Sequence, residues 1–207
     1  MEQNTRPKTV TKNKMQLKTI AKVGVLGAVA AILMLFEIPL FFAPSFYEID
    51  LSEVVVMIGA FALGVIPGIC IELVKVLLNL LLNGTMTAGV GELANFVIGC
   101  AYIIPAALFY RHRKSLKNAV IGMSVGTLSM TLVGALMNLY VLLPAYVALA
   151  NFPMDAVIEM GNQVNPAINS FETLVLFATV PFNLLKGILT SVLVGLLYKR
   201  VSPALHK

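Results

Sequence analysis

The chain has 207 residues, 58% hydrophobic and only 12% charged, with a formal net charge of +5 and a mean hydropathy of +0.89. Soluble domains carry about 25% charged residues, and a chain of this size still exposes roughly 30% of its unfolded surface after folding. So apolar a chain needs a bilayer as solvent, which excludes a soluble enzyme, a nucleic-acid-binding module and a disordered protein.

A crossing helix needs about 20 mostly apolar residues to cover about 30 Å at 1.5 Å each, and six segments qualify as spans. Residues 1–18 are polar and lysine-rich, and read as a cytoplasmic tail before a retained first helix over 19–42. Gly24 and Ala28 form a small-xxx-small pair on that helix, with Gly27 and Ala31 in the next register; such faces admit another helix closely. Helices 2 (52–66) and 3 (68–83) are short and separated by Val65-Ile66-Pro67-Gly68, where proline stops one helix and glycine permits a turn. Helix 4 covers 90–110. Helix 5, over 117–148, is too long for a straight crossing, so Pro144 is expected to kink or end it. Helix 6 covers 171–198, leaving 199–207 as a C-terminal tail. Two connections, 43–50 and 149–170, have the aromatic and breaker content of loops that cover a site. Cys70 and Cys100 fall inside apolar runs, where no structural disulfide is expected.

The bases orient the bundle. Arg6, Lys8, Lys12, Lys14, Lys18 and Lys22 precede or enter helix 1; Arg111, His112, Arg113, Lys114 and Lys117 link helices 4 and 5; Lys199, Arg200 and Lys207 follow helix 6. Six crossings put all three groups on one side, the cytoplasmic one, with both termini. Glu37, Glu48, Asp50, Glu53, Asp155, Glu159 and Glu172 then lie in or beside the outer segments.

Glu72, Lys75, Glu92 and Lys186 remain as charges at membrane depth. Ionisable groups cost at least about 2.5 to 3.5 kcal/mol in a span, so each marks either a function or a compensated pair. Asn183 and Lys186 are three apart on one helical face, offering a cation, two amide donors and a carbonyl acceptor. That set suits a planar heterocycle with alternating carbonyls and ring nitrogens, or a carboxylate; the plainer reading pairs Lys186 with an acid on another helix. Glu92 and Asn95 repeat the spacing on helix 4, where Glu92 equally suits the positive end of the helix dipole and Asn95 lies one turn deeper. Glu72, Lys75 and Asn79 form one stripe on helix 3, with Glu72 and Lys75 placed to neutralise each other. Asn138 on helix 5 reads equally as ligand contact or as interhelical glue.

The sequence lacks a P-loop, a His-Glu-x-x-His run, a Gly-x-Ser-x-Gly elbow and a Cys/His metal cluster. It shows a polar pocket and no visible engine.

These features resemble the S components of energy-coupling-factor (ECF) vitamin transporters, and within them the riboflavin-specific members, over nearly the whole chain after residue 18. The resemblance rests on the six-helix plan with both termini inside, and on the helix 1 small-residue motif where S components carry Ala-x-x-x-Ala. It rests also on Ile49-Asp50-Leu51-Ser52-Glu53 ahead of two short helices, and most specifically on Pro181-Phe182-Asn183-Leu184-Leu185-Lys186-Gly187. Gly24 replaces the first alanine of the helix 1 motif and is still small. The resemblance implies an all-α integral membrane protein with the S-component fold. Asn138, Asn183 and Lys186 would then contact the isoalloxazine ring, and Asn95, Glu92 and Thr87 are candidates for the ribityl chain. It implies partners too: the coupling subunit EcfT and the ATPases EcfA and EcfA', with Gly24 and Ala28 on the docking face. ATP would be used only by those partners, and the chain itself would hold no cofactor or metal and do no catalysis. The expected location is the bacterial plasma membrane. Three other readings stand beside this one: an S component for another vitamin such as thiamine or a pyridoxine-like compound, a small intramembrane enzyme using Glu92 or Glu72 as general base with Lys186 as electrophile, and a self-sufficient facilitator.

Overall fold

Glycine, not proline, separates the second helix from the third. In the computed structural model, which describes residues 9–40, 43–44, 47–85, 88–142, 144–145, 148 and 153–205, α2 (Ser52–Leu63) stops at Gly64. That residue has φ of +105°, a conformation glycine adopts at no steric cost. α3 (Val65–Asn83) begins at the next residue. Pro67 therefore lies in the first turn of α3, where its missing N–H has no intrahelical partner to lose. The expected stop at Val65-Ile66-Pro67-Gly68 is thus a helix start.

The first helix, α1 (Thr9–Met34), is shorter at its far end than the expected 19–42. Pro39 disfavours helical backbone at the residue before it, and Ile38–Pro39 instead forms strand β1. It pairs antiparallel with β2 (Glu48–Ile49), placing Ile38 opposite Ile49 and Pro39 opposite Glu48. This strap, two residues to a strand, closes one end of a bundle whose other described elements are all helical.

α4 (Val90–His112) and α5 (Leu116–Met137) form the most extensive helix pair. Gly122 and Gly126 are the reason: a Cβ on Gly122 would stand 2.7 Å from the Ala106 carbonyl oxygen, and one on Gly126 would strike Tyr102. α5 passes into a π-helical segment, Asn138–Leu142, so the regular helix ends before the expected Pro144. The segment 149–170 is more than a loop, since α6 (Met154–Val164) forms inside it. α7 (Phe171–Leu174) runs through a second π segment (Val175–Thr179) into α8 (Val180–Leu205).

Among the described residues, five helices are long and apolar enough to cross a bilayer: Gln16–Met34, Val65–Asn83, Val90–His112, Leu116–Leu142 and Phe171–Tyr198. α2 is apolar but has 12 residues, about 18 Å of helix. It is packed against α1, α3, α4 and α8, and Val56, Met57, Ala60 and Phe61 join Ile71, Tyr102, Ile103, Tyr110 and Met123 in the principal apolar core. The outward faces carry Ile66, Leu81, Leu128, Leu132, Ile188 and Leu196, all more than half exposed, as a lipid-facing surface requires.

A second apolar cluster sits beneath the strap. Ala43, Tyr47 and Ile49 pack there with Val157, Ile168, Leu174, Val175, Ala178 and Phe182, tying the first loop to α6 and to the start of the last helix.

Candidate functional site

The residues singled out on α5 and α8 converge. A cavity of about 210 Å³ opens between the strap, α4, the end of α5 and α8, and Asn95, Asn138, Asn183 and Lys186 all line it. Met34, Ile98, Met130, Leu142 and Phe182 supply its apolar wall, and Glu37, Tyr47, Glu48, Asp50 and Glu53 its remaining polar one.

Each amide is anchored to its own helix. Asn138 Nδ2 donates to the Gly134 carbonyl at 2.9 Å, and Asn183 Nδ2 donates to the Thr179 carbonyl at 2.9 Å. Asn138 begins the π segment, a local widening that recurs at functional positions because it turns side chains out of helical register. Gly134 lets the two helices close here: a Cβ would stand 2.9 Å from Asn183 Nδ2. Each asparagine keeps a second N–H beyond these anchors.

Lys186, 8% exposed, donates to Asp50 Oδ2 at 2.9 Å. This lysine therefore lines the cavity and is also paired with an acid. Asp50, placed by the sequence reading in an outer segment, is 4% exposed and accepts from the Ser52 N–H at 2.8 Å and from the Ser52 hydroxyl. Burial alone would raise its pKa, but the nearby Lys186 and Lys75 cations and the Ser52 hydrogen bond hold it well below the usual carboxylate range. The signal for Asp50 was the spacing Asp50-Leu51-Ser52 at a helix start, where a carboxylate takes up an orphan N–H.

At the rim, Glu37 is pushed up to about 7, first by loss of solvent and then by the hydrogen bond and negative charge of Glu48 and the charge of Asp50. The strap register, with Glu48 opposite Pro39, brings these two acids together. Tyr47 reaches furthest inward: its hydroxyl donates to Asn138 Oδ1 at 3.2 Å and hydrogen-bonds Thr179 Oγ1, while its ring packs on Phe182 at 4.8 Å. The sequence reading noted 43–50 as a cover but did not single out Tyr47, since a lone tyrosine in a loop carries no periodic signal.

The remaining candidates divide. Glu92 is not among the cavity-lining residues; it lies in the first turn of α4 and its carboxylate accepts from the Thr85 hydroxyl at 3.1 Å. Thr87 lies outside the described residues. Gly24 is exposed, with nothing within 4 Å of a Cβ built on it, whereas Gly27 abuts Val74. Gly27 and Ala31 are thus turned into the bundle, while Gly24 is exposed and Ala28 half-buried. Behind the cavity, the expected pairing of Glu72 with Lys75 is present at 2.7 Å, and Glu53 joins them at 2.7 Å from the same ammonium.

Comparison with known proteins agrees with this architecture. The riboflavin transporter RibU of Staphylococcus aureus is 31% identical over 94% of this chain and 96% of its own length. The riboflavin transporter FmnP of Bacillus subtilis is 29% identical over 91% and 94%. A solved structure of the S component of a bacterial ECF transporter superposes with a TM-score of 0.71 at 30% identity, covering 93% of this chain and 99% of that one. Residues 18–198 match the family described as ECF transporter, substrate-specific component, and the chain belongs to that family.

Proposed function

We propose that this chain captures riboflavin from outside the cell, for uptake driven by ATP hydrolysis on separate subunits. The observation that carries the reading is the joining of Asn138, Asn183 and Lys186 in one cavity with apolar walls. Amide N–H groups and an ammonium offer donors to ring carbonyls, and an amide oxygen accepts from a ring N–H. Met130, Ile98 and Phe182 offer the flat apolar contact that a fused ring system needs. Asn95 is assigned to the ribityl chain, with Glu92 and Thr87 as further candidates. The names of the Staphylococcus and Bacillus relatives support this choice of ligand.

The bases of the termini and of the α4–α5 link favour a cytoplasmic side for those ends; on this reading the strap and cavity face outward in a bacterial plasma membrane. Residues 19–198 form the binding domain, with α2 completing six crossings as a short helix shielded by its neighbours; 1–18 and 199–207 are cytoplasmic tails. The outward register at Gly24 and Ala28 is the docking face for EcfT, which couples to EcfA and EcfA'. Riboflavin is cargo in this scheme, not a resident cofactor.

The test is a riboflavin titration of the purified chain, read by quenching of flavin fluorescence. Asn183→Ala and Lys186→Ala should each weaken binding strongly, read at a temperature where each is folded, since Lys186→Ala also strands the buried Asp50 carboxylate. Unchanged affinity in both would defeat the assignment.

A further inference from the structure

Behind the cavity wall the charges do not balance. Glu53 on α2, and Glu72 and Lys75 on α3, are 2%, 0% and 0% exposed, so two carboxyls share one ammonium. The other charged groups nearby are Asp50 and Lys186, which form their own pair at 2.9 Å. The adjoining wall of α4 contributes Gly99 and the thiol of Cys100 but no charge. Across both pairs there are three acids and two cations. An uncompensated ion at this depth costs several kcal/mol, and no further cation among the described residues bonds to either carboxyl.

The geometry separates the two acids. Lys75 donates a hydrogen bond to Glu53 Oε1 at 2.7 Å, which is what an ionised carboxylate receives. Glu72 Oε1 lies at ion-pair distance from the same nitrogen but without hydrogen-bond alignment, and both Glu72 oxygens and Glu53 Oε2 are buried with no hydrogen-bond partner. Gly99 makes room for both acids: a Cβ there would collide with the Glu72 carboxyl and stand 3.2 Å from Glu53 Oε1.

We propose that this cluster is a proton-binding site, in which Glu72 is a neutral carboxylic acid and Glu53 the carboxylate counter-ion of Lys75. One bound proton closes the charge balance and lets the helix 3 stripe remain in the bilayer. Because Glu53 also lines the cavity, the proton sets the charge of the wall that a ligand meets. The inference does not depend on which ligand binds.

The test is infrared spectroscopy of the full chain at neutral pH, in a Glu37→Gln background so that the rim acid does not contribute. A carboxylic-acid C=O band is expected, lost in Glu72→Gln. Glu53→Gln should abolish it too, because Glu72 then becomes the sole counter-ion of Lys75 and ionises. Should either variant fail to fold, Lys75→Met provides the opposite reading, since loss of the cation leaves both acids protonated and the band about doubles. Absence of the band from the parent, or its survival in Glu72→Gln, would overturn the proposal.

Discussion

Replacing Lys186 by methionine tests whether one side chain holds the loop and also meets the ligand. The substitution keeps the apolar stem but removes the cation from Asp50, which is 4% exposed and would keep only its Ser52 hydrogen bonds. Stranding one member of a buried pair costs about 3 to 5 kcal/mol. An ammonium hydrogen bond to ligand is worth about 1.5 to 3 kcal/mol, which at 1.4 kcal/mol per decade is roughly 10- to 150-fold in Kd. Lys186→Met should therefore unfold at a markedly lower temperature and also bind riboflavin weakly. The double variant Asp50→Asn with Lys186→Met separates the two effects, because a neutral amide needs no counter-ion. Its thermal stability should return to within about 1 kcal/mol of the parent, since exchanging a whole buried pair for neutral groups is often energetically level, while its affinity stays low. Detergent-solubilised protein suffices for both readings, melting by intrinsic fluorescence and binding by flavin quenching. Parental affinity in the double variant would refute a ligand role for Lys186. A single variant as stable as the parent would refute the pairing argument.

Three further outcomes follow from the same geometry. Gly24→Leu should fold and bind like the parent, because nothing lies within 4 Å of the new Cβ, yet fail in ATP-driven uptake when reconstituted with the coupling subunits; normal uptake would remove the docking face. Gly122→Val should instead reduce folded yield, because the Ala106 carbonyl stands 2.7 Å from the Cβ position and overpacking costs about 1 to 3 kcal/mol; size-exclusion yield and melting temperature report it. For Glu37, the native state keeps its proton up to about 7 whereas the group ordinarily loses it at 4.5, so this residue's contribution to stability falls as pH rises across that window. Glu37→Gln should flatten that part of the melting-temperature profile, and an unchanged slope would show that Glu37 does not hold its proton across that window.

The membrane environment was legible from composition alone, because no aqueous core accommodates so much apolar surface. The positions of most helices followed from runs of apolar residues bounded by charge and glycine, and the Asn183/Lys186 face followed from a spacing of three, since helical periodicity is local. The first helix was read too long because its apolar run continues past Met34; only the pairing of Ile38–Pro39 with Glu48–Ile49 shows where the chain prefers a strap. α6 was read as connection because Pro153, Gly161 and Pro166 are breakers, yet Gly161 is accommodated where it packs closely on Ile168 and Leu174.

What lay beyond the sequence is the set of partners separated by long stretches of chain. Asp50 and Lys186 are 136 residues apart, Tyr47 and Thr179 132 apart, and Glu53 and Lys75 22 apart. Nothing local marks an acid ahead of α2 as the counter-ion of a lysine on α8. Sequence by itself determined that charges stand in the membrane, because their cost there is a property of the solvent. The tertiary structure decided which charge answers which, because that depends on helices brought together by Gly122, Gly126 and Gly134, whose missing side chains matter only once a neighbour arrives.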